Sequence, residues 1–306
     1  PGTKLPSLGQ IDYDTLETAL AVQAEGLILG SVDAIVVETV QDILQLKAAV
    51  NGSRIAMKKL GMDVPILTQV TVETTGTLLV GTDIAAAAAI IHSLDIKSIG
   101  LNCATGPQEM AEHVKWLAEN WPGVIGVQPN AGLPELVNGQ SYYPLTPEEM
   151  ARWLERYVRE DGINMIGGCC GTVNAHVKAL DEMLNRVGNG SRPKVTSRNP
   201  QWVPSVASLY GPVAYRQENA YLSIGERCNA NGSKKFREMQ AAENWDACVA
   251  IGRDQAREGS HTLDVCTAYV GRDEIADMTA LVSRMRGSVN APLVLDSTEY
   301  PVLEAA

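Results

Sequence analysis

The sequence lacks the features that define several common protein classes. Its 306 residues carry 36 acidic and 25 basic side chains, which leaves a net charge of -11. Binding to nucleic acid or to a membrane surface needs a basic face that neutralises phosphates, so this charge argues against both roles. The longest uncharged apolar run, 84–91, is mostly alanine and is far shorter than the roughly 20 residues that a bilayer-spanning helix requires. A small-molecule partner is therefore expected.

A secretory signal is also missing, because no charged segment followed by an apolar stretch opens the chain. We therefore expect a cytoplasmic protein whose six cysteines are reduced. Reduced cysteines favour metal-binding or catalytic roles over disulfides.

What the sequence does contain is an alternation of short apolar runs with longer amphipathic ones. In the first half the candidate strands are 33–37, 65–70, 98–101, 124–127 and 163–166. Such alternation indicates an α/β fold, in which parallel strands are joined by right-handed helical crossovers. Either an open doubly wound sheet or a (β/α)8 barrel fits this pattern, but a barrel needs eight strands.

Helix signals support this reading. Thr146 and Pro147, followed by two glutamates, predict a helix start, and Thr82-Asp83 predicts the start of the alanine-rich helix. A further helix is predicted over 13–29, where a barrel would first require a strand. We therefore expect the first barrel to lack its N-terminal strand in this chain.

The helical periodicity stops between the two halves, where glycines and prolines punctuate a polar stretch. We assign 186–215 to a linker that separates a first domain, 1–185, from a second domain, 216–306. The second series comprises a strand at 221–224, a helix at 241–258, and strands at 262–265 and 292–295. It stops after its third strand, so this domain is also expected to be incomplete.

Three cysteines follow two of the predicted strands: Cys103 in the first case, and the adjacent pair Cys169 and Cys170 in the second. Functional groups of parallel α/β proteins gather at the carboxyl ends of strands, so these thiols could converge. Three thiolates hold one zinc ion and leave a fourth position open for a substrate. On spacing alone, an alternative is that Cys103 packs as a small hydrophobe while the adjacent pair is buried or forms a strained disulfide.

Two polar residues at strand ends are candidates for substrate contact. Glu38 follows an apolar run and could bind an ammonium group, or it could pair with a neighbouring amide or basic side chain. Asn102 offers a donor and an acceptor, but could equally satisfy neighbouring backbone. The histidines are expected to be surface or packing residues rather than metal ligands: His92, His113, His176 and His261.

Three motifs occur in order in the first half: Asn102-Cys103 followed by Gly106-Pro107, then Gln128-Pro129-Asn130-Ala131-Gly132, then Gly167-Gly168-Cys169-Cys170-Gly171-Thr172. Together they resemble the zinc-dependent homocysteine methyltransferase family over roughly 11–184. The resemblance implies a (β/α)8 barrel in which Cys103, Cys169 and Cys170 bind zinc. It also implies that Glu38 helps to hold homocysteine, with Asn102 as a second candidate.

A second group of polar residues follows the strands of the second half. Glu226, Arg227 and Asn229 lie in Gly-Glu-Arg-Cys-Asn, and the next two strands end in carboxylates, Asp264 and Asp296. Carboxylates and an amide aimed into one barrel mouth suit a heterocycle rich in N–H donors, such as a pterin. Alternatively, Glu226 and Arg227 form an ion pair and the two aspartates cap the helices that follow them.

These motifs resemble the pterin-binding barrel of methyltetrahydrofolate methyltransferases. The matching positions are Glu226, Asn229, Asp264 and Asp296. Asp296 is a candidate catalytic residue that would organise hydrogen bonding as the methyl group leaves. Many members of that family carry asparagine where this chain has Cys266, and we expect Cys266 and Cys228 to line or underlie the pocket rather than bind metal.

A zinc homocysteine barrel followed by a pterin barrel resembles the cobalamin-dependent methionine synthase family. The resemblance implies two (β/α)8 TIM-type barrels in tandem and methyl transfer from 5-methyltetrahydrofolate, through methylcobalamin, to zinc-activated homocysteine. The products would be methionine and tetrahydrofolate. No Asp-x-His-x-x-Gly stretch is present, so cobalamin is expected on another domain or on a separate corrinoid protein. The alternatives are a zinc S-methyltransferase that uses another methyl donor and a zinc-stapled scaffold.

Overall fold

The structure is a computed structural model that describes residues 4–191, 193–194, 196–218 and 220–306. The chain divides into two compact units, Pro1–Val203 and Pro204–Ala306. Each unit has its own hydrophobic core and its own parallel sheet.

The first unit alternates helices and strands along most of its length. Its helices are α1 (Tyr13–Leu29), α2 (Ile43–Leu60), α3 (Ile84–Ser93), α4 (Pro107–Asn120), α5 (Pro147–Arg159) and α6 (Asn174–Val187). Its strands are β1 (Ile35–Val40), β2 (Ile66–Val70), β3 (Ser98–Asn102), β4 (Val124–Gln128), β5 (Glu135–Val137), β6 (Gln140–Tyr142) and β7 (Met165–Ile166).

Five of these strands form one sheet in the order β1-β2-β3-β4-β7, and every pair in it is parallel. The five strands predicted from the apolar runs are confirmed, although β1 spans Ile35–Val40 rather than 33–37 and β7 begins at Met165 rather than at residue 163. The remaining two strands, β5 and β6, form an antiparallel hairpin between β4 and α5 that the sequence analysis did not predict.

The two faces of this sheet differ in polarity. Leu101 on β3 and Val127 on β4 are buried in the hydrophobic core with apolar side chains of the helices, such as Met110. Their neighbours Asn102 and Gln128 pair in register and, because strand side chains alternate, lie on the opposite face. Polar groups therefore end the strands on the face away from the helices.

Local capping fixes where the helices begin. Thr146 and Glu149 form a reciprocal capping box at the start of α5, with Pro147 in the first turn. At the start of α3, the Asp83 carboxylate accepts a hydrogen bond of 2.6 Å from the amide of Ala86. Both helix starts predicted from the sequence are confirmed.

Part of the polar stretch after α6 packs against the first unit. The Arg198 guanidinium donates to the carbonyl oxygens of Trp121 (2.8 Å) and Gly123 at the end of α4. Trp202 stacks on His92, with ring centroids 4.6 Å apart. The predicted linker, 186–215, therefore includes residues that contact the first unit.

The second unit has a smaller parallel sheet. Its strands are β8 (Ser205–Ala207), β9 (Pro212–Ala214), β10 (Ile224–Asn229), β11 (Thr262–Cys266) and β12 (Leu293–Leu295). Its helices are α7 (Lys234–Ala241), α8 (Trp245–Arg257), α9 (Glu274–Met285) and α10 (Tyr300–Ala305). The sheet order is β10-β11-β12, and β8 pairs with β9 in a separate antiparallel hairpin.

Two predicted elements of this unit had wrong bounds. The first strand begins at Ile224 rather than at residue 221 and continues to Asn229, so the Gly-Glu-Arg-Cys-Asn motif lies on the strand itself. The predicted helix 241–258 begins at Trp245, because Asn244 caps it and a separate helix, α7, ends at Ala241.

Among the residues described above, no helix combines the length and apolar character needed to cross a membrane.

Candidate functional site

The three cysteines of the first unit lie together. Cys103 follows β3, Cys169 and Cys170 follow β7, and the three sulfur atoms lie within 4.8 Å of one another. The Sγ atoms of Cys103 and Cys170 are 3.7 Å apart, and all three thiols are free. Cys169 and Cys170 therefore do not form the disulfide that was considered as an alternative. We name these three residues the thiol cluster.

The backbone around Cys103 adopts an unusual conformation. Cys103 and Ala104 have φ angles of 64° and 59°, which is the left-handed region that residues with a Cβ rarely enter. The Cys103 amide donates to the Gln128 carbonyl at 3.2 Å, and the Cys103 carbonyl accepts from the Thr105 amide at 2.7 Å. This turn directs the chain away immediately after the thiol and is of the kind that gathers at functional sites.

The Cys169-Cys170 loop is held by the segment that follows β4. The Cys169 amide donates to the Pro129 carbonyl at 2.8 Å, and the Cys170 amide donates to Asn130 Oδ1 at 3.0 Å. The Cys170 carbonyl accepts from the Ala131 amide at 2.9 Å. The Gln-Pro-Asn-Ala-Gly motif therefore positions both thiols, although none of its residues belongs to the thiol cluster.

The charge state of the thiols follows from their surroundings. Burial, and after it the neighbouring Cys103, raises the pKa of Cys169 to about 12. Burial also raises the pKa of Cys103. Without a metal, these thiols stay protonated at neutral pH, and a metal ion that binds them displaces their protons.

The donor set fits zinc. Three sulfurs at the ends of two strands match the arrangement that holds Zn²⁺ while leaving a fourth position for another ligand. Within the described part of the chain, this is the one group of three or more metal-ligating side chains close enough to share an ion.

Asn102 on β3 and Glu38 on β1 lie in different environments, on the two strands that flank β2. Asn102 is 1% exposed, accepts a hydrogen bond from the Thr39 amide at 2.9 Å and donates to Thr39 Oγ1 at 2.8 Å. Its Nδ2 also lies 3.9 Å from Cys169 Sγ. Asn102 therefore satisfies neighbouring backbone, as the alternative proposed. Glu38 is exposed on β1, beside Thr39.

The second unit places an amide between two carboxylates. Asn229 at the end of β10 donates through Nδ2 to Asp264 at 2.7 Å and to Asp296 at 3.5 Å. Asn229 Oδ1 accepts from the amides of Asn231 (2.9 Å) and Gly232 (3.2 Å). We name Glu226, Asn229, Asp264 and Asp296 the carboxylate cluster.

Electrostatics distinguish Asp264 within this cluster. Burial raises its pKa above the usual value for an aspartate, and the charges of Asp296 and Glu226 raise it further, while the Asn229 hydrogen bond lowers it. Like charges therefore converge at this point of the second unit, where Glu226 is exposed.

The structure does not contain the alternative arrangement, in which Arg227 pairs with Glu226 and the two aspartates cap helices. Arg227 pairs with Glu258. The N-cap of α9 is Asp273, and the N-cap position of α10 is occupied by Glu299. Asp264 and Asp296 are therefore not helix caps.

Cys228 and Cys266 are buried on the two strands that carry Asn229 and Asp264. Cys228 is fully buried in the hydrophobic core and accepts a hydrogen bond from Gln255 Nε2 at 3.3 Å. Cys266 is 4% exposed, and its Sγ lies 3.9 Å from Asn231 Nδ2. Both positions agree with the expected packing role.

The histidines lie outside the thiol cluster. His176 is buried, and its ring nitrogens bond to the Val173 amide and the Leu145 carbonyl. His261 pairs with Ser223 at 2.7 Å. Together with the stacking of His92, these contacts agree with the expected packing roles.

The sequence analysis missed one residue at the thiol cluster. Tyr143 follows the β5–β6 hairpin, and its ring packs against Gly171, the residue after the cysteine pair, since a Cβ added there would lie 2.2 Å from Tyr143 Cγ. Burial, followed by the Cys170 thiol, raises the pKa of Tyr143. The signal was present in Asn138-Gly139, a pair typical of the two-residue hairpin turn that returns the chain to the strand end.

Comparison with known families places both sites in context. The model of the homocysteine S-methyltransferase family matches residues 1–184, and the model of pterin binding enzymes matches residues 225–306. The first match covers more than half of the chain and contains the whole thiol cluster, and the second contains the whole carboxylate cluster. The chain belongs to the homocysteine S-methyltransferase family.

The chain is also similar to individual curated proteins. It is 49% identical over 305 residues to the methionine synthase of Mycobacterium tuberculosis (strain ATCC 25618 / H37Rv) and 47% identical over 305 residues to that of Mycobacterium leprae (strain TN). Each alignment covers 100% of this chain and 25% of the relative. The chain therefore spans about a quarter of the length of the curated relatives it matches.

Proposed function

We propose that this chain carries parts of the homocysteine and folate modules of a cobalamin-dependent methionine synthase. The overall reaction would move a methyl group from 5-methyltetrahydrofolate, by way of cobalamin, to homocysteine, giving methionine and tetrahydrofolate. The observation that carries this proposal is the presence of two separate clusters, one of thiols and one of carboxylates. Each lies at strand ends within a match to the corresponding family.

In fold terms, we propose that each unit is part of a (β/α)8 barrel. The domains would be 1–185 and 216–306, joined by the stretch 186–215. The parallel order of β1-β2-β3-β4-β7 and of β10-β11-β12 supports this assignment, because consecutive strands of a barrel lie side by side.

The homocysteine module would work through the thiol cluster. Cys103, Cys169 and Cys170 would hold zinc, which would keep a substrate thiol in its thiolate form near neutral pH. The exposed Glu38 carboxylate would bind the substrate ammonium group. Asn102 would act by fixing the backbone of Thr39 next to Glu38 and by lying close to Cys169.

The folate module would work through the carboxylate cluster. Asp264, Asp296 and Glu226 would accept hydrogen bonds from the N–H groups of the pterin, and Asn229 would hold the two aspartates in place. An amine is a poor leaving group unless it is protonated or hydrogen-bonded as the methyl group departs. We assign to Asp296 the organisation of that hydrogen-bond network.

Cobalamin would be supplied from outside these residues, either by a further domain of the same enzyme or by a separate corrinoid protein. The sequence contains no Asp-x-His-x-x-Gly stretch that would ligate it. We therefore expect the isolated chain to bind its substrates but not to turn over methyltetrahydrofolate without added corrinoid.

The test of this proposal is the zinc content per chain, together with X-ray absorption at the zinc edge before and after homocysteine is added. We expect one zinc with three sulfur ligands that gains a fourth sulfur from homocysteine. Zinc whose coordination does not change on adding homocysteine would favour a stapled scaffold. No zinc in a folded sample would contradict the metal centre.

A separate titration tests the folate module. The full chain should bind 5-methyltetrahydrofolate, as measured by calorimetry, whether or not zinc is present. Absence of binding by a folded chain would contradict the role assigned to the carboxylate cluster and would favour a methyl donor of another kind.

A further inference from the structure

The first strand of the first unit contains one residue more than its partner strand. Glu38 and Thr39 of β1 lie opposite the single residue Gln69 of β2. The pairing of the two strands shifts by one residue between Val37 and Val40, as an extra residue requires. This arrangement is a β-bulge, a feature that bends a strand and re-aims side chains, often beside active sites.

The second unit repeats this irregularity in its own first sheet strand. Glu226 and Arg227 of β10 lie opposite the single residue Asp264 of β11. The register shifts by one residue between Gly225 and Cys228. Each bulge therefore begins at a glutamate that was singled out as a substrate contact, and both of these side chains are exposed. We name these two residues the bulge glutamates.

The extra residue changes which side chains of β1 face the core. Val37 packs against the hydrophobic core and Val40 is 1% exposed within it, although a spacing of three would place them on opposite faces of a regular strand. Because side chains alternate, Glu38 lies on the face away from the core, where Asn102 ends β3. The extra residue, Thr39, then returns the strand to the core.

The first bulge has a strained backbone and is held by one buried side chain. Thr39 has a φ of 55°, a left-handed conformation that is rare for a β-branched residue. Asn102 accepts a hydrogen bond from the Thr39 amide at 2.9 Å and donates to Thr39 Oγ1 at 2.8 Å. Since Asn102 lies on β3, its side chain crosses β2 to make these bonds. The two bonds stabilise the backbone conformation that the bulge needs.

The second bulge is held in the same way by a residue of a helix. The amide of Arg227, the second residue of this bulge, donates to Gln255 Oε1 at 2.7 Å. Gln255 lies on α8, is 1% exposed and donates through Nε2 to Cys228 Sγ at 3.3 Å. The Arg227 side chain pairs with Glu258 at the end of the same helix. In both units, therefore, a buried carboxamide accepts the amide of the residue that follows the bulge glutamate.

We propose that Thr39 and Gln255 are positioning residues that hold the two bulges and so aim the bulge glutamates at N–H donors of the ligands. The recurrence of one bulge and one carboxamide support in both units carries this inference. The donor is the ammonium group of homocysteine in the first unit and an N–H group of the pterin in the second. The inference rests on the proposed function, because it assigns further residues to the same two sites.

The test of the first bulge compares Thr39→Val with Thr39→Ser in the full, zinc-loaded chain. Valine keeps the branched shape but removes the hydroxyl to which Asn102 donates, whereas serine keeps the hydroxyl and is the matched control. Calorimetry measures the affinity for homocysteine and for 4-mercaptobutanoate, which is homocysteine without its amino group. A residue that acts through the ammonium contact changes the ratio of these two affinities, whereas a merely structural residue does not.

For Thr39→Val we expect the affinity for homocysteine to fall by about 5- to 10-fold, as for the loss of one typical hydrogen bond. The affinity for 4-mercaptobutanoate and the zinc content should match those of the wild-type chain. Thr39→Ser should match the wild-type chain in all three measurements. In a Glu38→Ala background, Thr39→Val should have no further effect on homocysteine affinity, because the carboxylate that it aims is absent.

The test of the second bulge uses Gln255→Met, which fills a similar space without an acceptor for the Arg227 amide. The affinity for 5-methyltetrahydrofolate should fall by about 5- to 10-fold, and the affinity for homocysteine should not change. In a Glu226→Ala background, Gln255→Met should have no further effect. Thr39→Val, with unchanged affinity for 5-methyltetrahydrofolate, is the reciprocal control. Thermal unfolding establishes that each variant is folded at the temperature of the titration.

Several outcomes would overturn the inference. Unchanged homocysteine affinity in Thr39→Val would make the first bulge a packing feature alone, and equal losses for both thiols would assign Thr39 to the support of the fold or metal centre. A loss that persists in the Glu38→Ala or Glu226→Ala background would overturn the inference for that unit, as would unchanged folate affinity in folded Gln255→Met. A wild-type chain that binds both thiols equally would overturn the role of Glu38 in the proposed function, and this inference with it.

Discussion

The thiol cluster and the carboxylate cluster are held together by different kinds of hydrogen bond. The thiol cluster is held through three backbone amides: those of Cys103 and Cys169 donate to backbone carbonyls, and that of Cys170 donates to the Asn130 side chain. The carboxylate cluster is held through a single side chain, Asn229, which bonds to both aspartates. The first arrangement is fixed before any ligand arrives, whereas the second keeps like charges together through one shared amide.

This difference indicates what each cluster needs to become complete. The raised pKa values of Cys103 and Cys169 keep these two thiols protonated and neutral, so the first cluster tolerates the absence of its ion, and a divalent cation that binds it replaces the protons. The carboxylates repel one another in the free state. A ligand that brings several N–H donors relieves that repulsion and is therefore favoured at the second cluster.

The largest expected effect comes from removing one thiol. Cys169→Ala should lower zinc affinity by more than about 100-fold, because a direct ligand is worth more than the outer contacts that alone change affinity by that much. Homocysteine binding should be lost with the metal. Zinc content by mass spectrometry and homocysteine binding by calorimetry check this result.

Because the two clusters lie in separate units, Cys169→Ala should leave methyltetrahydrofolate binding unchanged. Asp264→Asn supplies the reciprocal control, since its zinc content should equal that of the wild-type chain. Unchanged zinc content in Cys169→Ala would remove that residue from the ligand set.

Asp264→Asn should weaken methyltetrahydrofolate binding by about 10- to 100-fold, because a hydrogen bond to a charged group contributes about 1.5–3 kcal/mol. The amide keeps the shape of the side chain, so the loss reports charge rather than packing. Calorimetric titration of both chains measures the effect. Equal affinities would show that Asp264 does not contact the ligand.

Two glycines, Gly171 beside the thiol cluster and Gly232 beside the carboxylate cluster, differ in how much an added side chain should cost. Gly171→Ala should destabilise the first unit by about 1–3 kcal/mol from the left-handed backbone alone, with a further cost from the collision with Tyr143. In Gly232→Ala the nearest heavy atom to the new Cβ is 3.8 Å away, so stability should change little. Urea unfolding of both variants measures the difference, and equal losses would contradict it.

The smallest effect concerns the pH dependence of stability. The folded-state pKa of Asp264 is raised above its unfolded value, so the folded chain binds this proton more tightly. The stabilisation that comes from this tighter proton binding is fully present below the pKa of Asp264 in the unfolded chain. It is lost as pH rises through the pKa of Asp264 in the folded chain. At pH 7 the charged aspartate therefore destabilises the second unit.

Asp264→Asn should consequently be slightly more stable than the wild-type chain at pH 7, and this advantage should shrink toward pH 4. Thermal unfolding of both chains across this pH range checks the sign. A variant that loses stability at neutral pH would show that the ionised Asp264 is instead stabilised by its surroundings.

The positions of the main strands could be predicted from the sequence because each is a short apolar run between amphipathic helices, whereas their order in the sheet stayed open between a doubly wound sheet and a barrel. The starts of two helices could also be predicted, because the capping residues Asp83 and Thr146 are close in sequence to the amides that they cap. The convergence of the thiols followed from the rule that parallel strands end at one edge, and the structure bears out that convergence.

What the sequence could not provide were contacts made by residues without a distinctive local pattern. Strand β10 continues to Asn229, beyond its predicted end, and the polar residues of Gly-Glu-Arg-Cys-Asn gave no apolar pattern that would predict this pairing with β11. The partner of Arg227 is Glu258, which is brought close by the crossover of α8. Tyr143 depends on a hairpin whose strands are only three residues long and fully exposed, and so carry no hydrophobic period.

The sequence separation within the thiol cluster has a consequence for folding. Cys103 and Cys170 are 67 positions apart, and β4 and the β5–β6 hairpin lie between them. An ion shared by these thiols acts as a cross-link that closes a long loop, and chain-entropy arguments give such closure about 4 kcal/mol. Chelation of the metal should therefore make the segment between the two cysteine loops the first part of this unit that a protease can cut.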